Sequence, residues 1–126
     1  MRIEHIAFNV ADPVAMADWY VRHFGLRIVR HIAEPNQTHF LADDGGSVIE
    51  IYCNPPDQVP DYESMDPLLF HLAFASADPE EDAARLVAAG ASRVSEVRPD
   101  DGSILLMLRD PWGVAFQLCR KAKPLA

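Results

Sequence analysis

The sequence predicts an α+β fold built from two tandem βαβββ modules within a single domain spanning residues 1–126. Two observations carry this prediction. The stretch EHIAFNVADP (Glu4–Pro13) returns as FHLAFASADP (Phe70–Pro79), with histidines at 5 and 71 and aspartates at 12 and 78 separated by the same 66 positions. Each copy is followed by a helix-like segment and then by three strand-like segments.

The first module is predicted to cover about residues 1–53. A strand over Ile3–Val10 precedes a helix that begins at Asp12-Pro13 and ends before Gly25, since Asp suits the N-cap, Pro the first turn and Gly the C′ position. One helical face carries the residues expected to pack on the strands, which are Met16, Trp19, Tyr20 and Phe24. The three strands that follow are predicted at Arg27–Ile32, Thr38–Leu41 and Ser47–Cys53.

The second module repeats this order over about residues 68–121. A strand at Phe70–Ala75 leads into a helix from Asp78-Pro79 to Gly90, with Ala83, Leu86 and Val87 as its buried stripe. Three further strands are predicted at Arg93–Arg98, Ile104–Arg109 and Val114–Cys119. Residues 54–67 are rich in proline, which predicts a stiff, extended linker between the modules.

Charge and composition restrict the classes of partner. The formal net charge is −8, and a nucleic acid or an anionic membrane would require a basic face. No apolar run is long enough to span a bilayer, and two cysteines do not form a disulfide framework. We therefore expect a cytoplasmic protein whose partner is a small molecule.

Strand alternation places four polar side chains on the faces that the helices do not use. His5 and Glu50 share that face in the first module, and His71 and Gln117 share it in the second. Two imidazoles and two side-chain oxygens suit a divalent ion such as Zn, Ni, Mn, Co or Fe. Each residue taken alone has a simpler explanation, because strand histidines are usually hydrogen-bonded and surface glutamates are usually solvated. The repeated arrangement favours the metal site.

The chain resembles the vicinal oxygen chelate superfamily, which includes glyoxalase I, bleomycin-resistance proteins and extradiol dioxygenases. The resemblance rests on IEHIAFNVADP, GSVIEIYC, FHLAFASADP and LRDPWGVAFQLC. It implies a glyoxalase-like fold, in which the two modules form an open barrel-like cleft. It also implies a metal held by His5, Glu50, His71 and Gln117, and in many members a homodimer. In glyoxalase I-like enzymes the second-module ligand is a glutamate that moves a proton, whereas Gln117 is a carboxamide.

These features together predict a metal-dependent, glyoxalase-like lyase or isomerase that acts on a small carbonyl or 2-hydroxycarbonyl compound, with Glu50 as the catalytic base. Two alternatives stay open: an extradiol-type dioxygenase using the two histidines and Glu50, and a metal-free binding protein like the bleomycin-resistance proteins. Tyr52, on the face of Glu50, and His39, whose register the sequence leaves open, are candidate substrate contacts.

Overall fold

The computed structural model describes residues 1–125 and divides into two compact units, Met1–Pro60 and Asp61 onward. The division falls inside the predicted linker. No helix among the described residues is both long and apolar enough to cross a bilayer.

The first unit contains one helix and a four-stranded sheet. Strand β1 (Ile6–Asn9) leads into helix α1 (Pro13–Phe24), which is followed by β2 (Arg27–Ile32), β3 (Thr38–Ala42) and β4 (Val48–Tyr52). The strands lie in the order β1-β4-β3-β2, with β1 parallel to β4 and the other pairs antiparallel.

The second unit repeats that topology. After a short 3-10 turn at Tyr62–Ser64 come β5 (Leu72–Ala75), helix α2 (Pro79–Ala88), β6 (Ser92–Val97), β7 (Ile104–Arg109) and β8 (Ala115–Arg120). Its sheet order is β5-β8-β7-β6, again with the first and last strands parallel. The predicted α+β fold of two βαβββ modules is confirmed, and each sheet is open rather than closed on itself.

Both helices begin as the repeated Asp-Pro predicts. The Asp12 carboxylate accepts a hydrogen bond from the Ala15 amide at 3.1 Å, and the Asp78 carboxylate accepts one from the Glu81 amide at the same distance. Helix α1 ends at Gly25, whose φ of 70° is in the left-handed region that glycine adopts without strain.

The core of each unit lies between its helix and its sheet, and one predicted core position is wrong. Val87 is 42% exposed although its neighbour Leu86 is 1% exposed, because the apolar stripe of α2 is narrower than predicted. The strand that begins each module is also shorter than predicted, so His5 and His71 each precede their strand by one residue.

The two ends of the linker are each attached to the nearer module. Asn9 accepts a hydrogen bond from the Asn54 amide at 2.6 Å and donates one to the Pro55 carbonyl at 2.8 Å. Arg109 donates to the carbonyls of Tyr62 and Met65, both at 2.7 Å. These backbone groups therefore have partners outside regular secondary structure, which keeps the connector ordered.

A matched pair of substitutions on α2 tests this description of the core. We expect Leu86→Ala to lower the free energy of unfolding by about 2–4 kcal/mol, because it leaves a cavity. Val87→Ala removes an exposed side chain and should change that free energy by less than about 1 kcal/mol. Urea unfolding followed by circular dichroism measures both. Equal losses in the two variants would contradict the assignment of the buried face.

Candidate functional site

The open face of the first sheet, opposite α1, carries a row of four residues across all four strands. Glu50 pairs with Ala7 on β1 and with Phe40 on β3, and Phe40 pairs with Arg30 on β2. Paired residues point to the same face of a sheet. We call Arg30, Phe40, Glu50 and Ala7 the first-module row.

His5 and Glu50 meet at one end of this row. His5 Nε2 lies 2.9 Å from Glu50 Oε2, and the two side chains are 33% and 18% exposed. The His5 ring also meets the Phe40 ring edge-on, with the ring centroids 5.6 Å apart. The structure thus brings together the two polar residues that the sequence predicts on the face of the first module.

His5 lies between two carboxylates. Its Nδ1 is 2.7 Å from Glu4 Oε1, while its Nε2 faces Glu50. Carboxylates only accept hydrogen bonds, so an imidazolium with a proton on each ring nitrogen satisfies both contacts. The hydrogen bond with Glu4, helped by the charges of Glu4 and Glu50, raises the pKa of His5 above its ordinary value against a smaller opposing effect of desolvation.

A cavity of about 600 Å³ opens on this face beside His5. Its walls combine apolar side chains with charged ones, and they are formed by Arg2, Ile3, Glu4, His5, Val29, Arg30, Phe40, Gly46 and Val48. Tyr52 lies on the same face as Glu50, two residues further along β4, and is half-buried. The cavity is large enough for a small organic molecule.

His39 lies on the opposite face of the sheet from Glu50. It pairs with the buried Ile51, is 3% exposed, and its Nδ1 donates to the Gln37 carbonyl at 2.7 Å. Burial lowers the pKa of His39 below its ordinary value, so the neutral ring is favoured. The sequence-based suggestion that His39 contacts substrate is therefore not supported by its position, because the side chain packs beneath the sheet.

The second module holds His71 and Gln117 at the equivalent positions. His71 Nδ1 donates to the Pro67 carbonyl at 2.8 Å, which leaves Nε2 of the neutral ring with a lone pair. Metal-binding histidines commonly use their second nitrogen in this way. Gln117 pairs with Ala73, as Glu50 pairs with Ala7, and its Oε1 accepts a hydrogen bond from the Cys119 thiol at 3.0 Å.

The equivalent row of the second module has a different chemical character. Ser95 pairs with Met107, Met107 with Gln117, and Gln117 with Ala73. This second-module row therefore contains no charged group and no aromatic ring. The duplicated fold carries a charged row in one copy and a neutral row in the other.

The predicted metal ligands fit the chemistry of a metal site in part. Each module supplies one imidazole nitrogen and one side-chain oxygen, the donor types that divalent transition metals accept. Residues 1–125 contain no cluster of three or more His, Cys, Asp or Glu side chains placed to hold an ion. Two donors from one module are fewer than the three that a catalytic site ordinarily uses.

Three residues near His5 could not be identified as site residues from the sequence. Glu4 reaches His5 because both precede β1, so strand alternation does not separate them. Phe40 follows from the pairing of β3 with β4, which the sequence did not specify. Arg30 reaches the open face because the register of β2 shifts between Ile28 and Arg30, where Val29 is an extra residue. Without that bulge, Arg30 would pair with His39 and face the helix.

Comparison with known proteins places this paired βαβββ fold in a family. A family model described as the Glyoxalase/Bleomycin resistance protein/Dioxygenase superfamily matches residues 2–118. The chain belongs to this superfamily, as its sequence motifs suggested. A search of curated protein sequences found no match.

Solved structures share the fold. A glyoxalase family protein from Enterococcus faecalis is 27% identical, with a TM-score of 0.73 over 94% of this chain and 97% of that one. Glyoxalase I from Zea mays is 21% identical, with a TM-score of 0.74 over 97% of this chain and 45% of that one. TnmS3, an antibiotic-binding protein from a Streptomyces species, is 18% identical, with a TM-score of 0.71 over 94% and 93%. Both enzymes and binding proteins therefore have this architecture.

The contacts of His5 predict its titration. In NMR titrations of metal-free protein, the ring signals of His5 should report a pKa above the ordinary value of about 6.5. Glu4→Gln should lower that pKa, because it removes the largest cause of the shift. Glu34→Gln, in the turn after β2, removes the same charge elsewhere and serves as the control. Identical His5 titration in wild type and Glu4→Gln would show that the contact does not form in solution.

Proposed function

We propose that this chain is a metal-dependent enzyme of the glyoxalase type, a lyase or isomerase acting on a small carbonyl or 2-hydroxycarbonyl compound. The observation that carries the proposal is the meeting of His5 Nε2 and Glu50 Oε2 at 2.9 Å beside a cavity on the open face. A purely structural ion pair would not require this position next to an open cavity.

The proposed ligands are His5, Glu50, His71 and Gln117. The hydrogen bond from His71 Nδ1 to the Pro67 carbonyl supports this role, because it directs the lone pair to Nε2. Glu4 would act in the same way on His5, holding Nδ1 while Nε2 loses its proton to become a ligand. A divalent ion bound there would stabilise negative charge on neighbouring oxygens of the substrate.

Glu50 is the proposed base. Its carboxylate can take a proton from the carbon next to a carbonyl and return it. Gln117 cannot accept a proton, since its side chain is a neutral amide. The proposed proton transfer therefore depends on one carboxylate, in the first module.

We extend the proposal to a homodimer in the cytoplasm that takes a small-molecule substrate. Light scattering should then give twice the chain mass of 14.0 kDa.

Removing one proposed ligand tests the metal site. We expect metal-free wild type to bind Zn²⁺, and we expect Glu50→Gln to bind it at least about tenfold more weakly, because a neutral amide replaces a charged donor. Glu34→Gln removes the same charge outside the site and should bind Zn²⁺ like wild type. Calorimetric titration of untagged protein measures all three. The metal-dependent function is wrong if wild type does not bind the ion or if Glu50→Gln binds it equally well.

Restoring an acid in the second module tests the reaction class. Gln117→Glu should increase the isomerisation of the hemithioacetal of methylglyoxal and glutathione, since an added general base contributes roughly 10²- to 10⁴-fold. Gln58→Glu makes the same change in the linker and should have no effect. Product formation is followed by absorbance.

The two alternative functions predict other outcomes for the same proteins. A ring-cleaving dioxygenase would consume oxygen with catechol, and its rate would fall in Glu50→Gln. A binding protein would retain small molecules without converting them. Either outcome, together with no isomerisation by Gln117→Glu, would contradict the lyase or isomerase assignment.

A further inference from the structure

Arg30 differs from Arg22 and Arg27, two other arginines of its module, in what surrounds it. Arg22 Nε lies 2.8 Å from Asp18, and Arg27 Nε lies 3.7 Å from Asp44. Among residues 1–125, no carboxylate lies within ion-pair distance of Arg30, whose guanidinium instead lies over the Phe40 ring, 5.9 Å from its centroid. In a chain of net charge −8, an arginine without an acidic partner on an open face is suited to bind an anion.

The Arg30 side chain belongs to the wall of the cavity beside His5. Arg30 and Phe40 both line it, and the remaining lining is part apolar and part charged, with Ile3, Val29, Gly46 and Val48 beside Arg2, Glu4 and His5. Aromatic and aliphatic walls bury the body of a small ligand, while a few polar groups fix its orientation. The cavity therefore suits a molecule with a flat apolar body and an acidic group.

Strand spacing sets the distance between Arg30 and the pair formed by His5 and Glu50. Arg30 and Glu50 belong to strands separated only by β3, so their backbones are about 10 Å apart across the sheet. Phe40 fills the interval, with Arg30 Cζ 5.9 Å and the His5 ring 5.6 Å from its ring centroid. A ligand that reaches both ends must cross the Phe40 ring.

We propose that the substrate is a small organic acid, whose carboxylate pairs with Arg30, whose planar or apolar body lies on Phe40, and whose oxygen-bearing reactive end reaches His5 and Glu50. This inference rests on the proposed function and names its substrate class. Arg30 is a specificity-determining residue, which acts on substrate binding and not on proton transfer.

The second module supports this assignment by contrast. Its equivalent row has Ser95 in place of Arg30, Met107 in place of Phe40 and Gln117 in place of Glu50. The bulge that turns Arg30 to the open face is repeated there, between Arg93 and Ser95. The backbone geometry is thus common to both modules, and the acid-binding side chains occur in the first module alone.

A pair of probes that differ in one charge tests the inference. The acid is 3,4-dihydroxybenzoate, in which a flat ring separates a carboxylate from two neighbouring hydroxyl groups, and its neutral partner is 3,4-dihydroxybenzamide. Calorimetry without oxygen gives the dissociation constants of both, with and without Zn²⁺. Wild type should bind the acid about tenfold more tightly than the amide, as a charge-assisted pair provides.

The variants assign that preference to Arg30. Arg30→Gln should bind acid and amide equally, by losing affinity for the acid alone. Arg22→Gln removes the same charge from the surface of α1 and should keep the preference, and Phe40→Leu should weaken both probes together. Thermal melts of each variant confirm that the fold is intact.

Three results would overturn the inference: binding of neither probe, equal binding of both by wild type, or an unchanged preference in Arg30→Gln. Failure of the proposed function has a different signature. If the protein prefers the acid through Arg30 but does not bind Zn²⁺, the acid-binding site is supported and the metal-dependent function is wrong. If the protein binds Zn²⁺ through Glu50 but binds the acid and the amide equally, the metal site is supported and the proposed role of Arg30 is wrong.

Discussion

The parallel pairing of the first and last strands of each module is the constraint on which the site depends. Ala7 pairs with Glu50, and only this register brings His5, just before β1, against the carboxylate from the other end of the module. A slip of one residue would turn Glu50 toward the helix and bring apolar Ile49 or Ile51 to the open face. The sheet continues outward from β4, where Phe40 on β3 pairs with Glu50 and the bulge in β2 brings Arg30 opposite Phe40.

The buried faces explain why this register is maintained. Ile51 and Leu41 lie beneath the sheet and are almost completely buried against the core, and exposing them would cost about 1.5–3 kcal/mol each. The polar site on one face is therefore aligned by apolar packing on the other. Because apolar packing on the helix side maintains the fold, side chains on the open face can differ in chemistry without changing it.

The sequence was sufficient to predict the fold because the chain carries the same pattern twice, once in each module. Asp-Pro before each helix, and strand periodicity after it, are local signals that need no tertiary information. Alternation likewise placed His5 and Glu50 on the helix-free face, and the pairing of β1 with β4 then brings them into contact.

Other parts of the site depend on relationships between strands. Arg30 reaches the open face through a bulge, which has no clear mark in the sequence, and His39 could not be assigned to a face until its partner Ile51 was known. Glu4 contacts His5 because β1 begins later than its apolar pattern suggested. Register, bulges and strand ends are set by long-range pairing, so a single sequence indicates them poorly.

The position of β2 at the edge of its sheet has a consequence for how copies of this chain associate. An edge strand has unpaired backbone N–H and C=O groups that can form hydrogen bonds with a strand of another molecule. The exposed apolar side chains of Ile28, Val29 and Ile32 would favour such pairing on β2. Arg27 and Arg30 interrupt these residues, so two β2 strands that approached edge to edge would bring like charges together. The basic residues of β2 therefore protect the protein against aggregation through this edge.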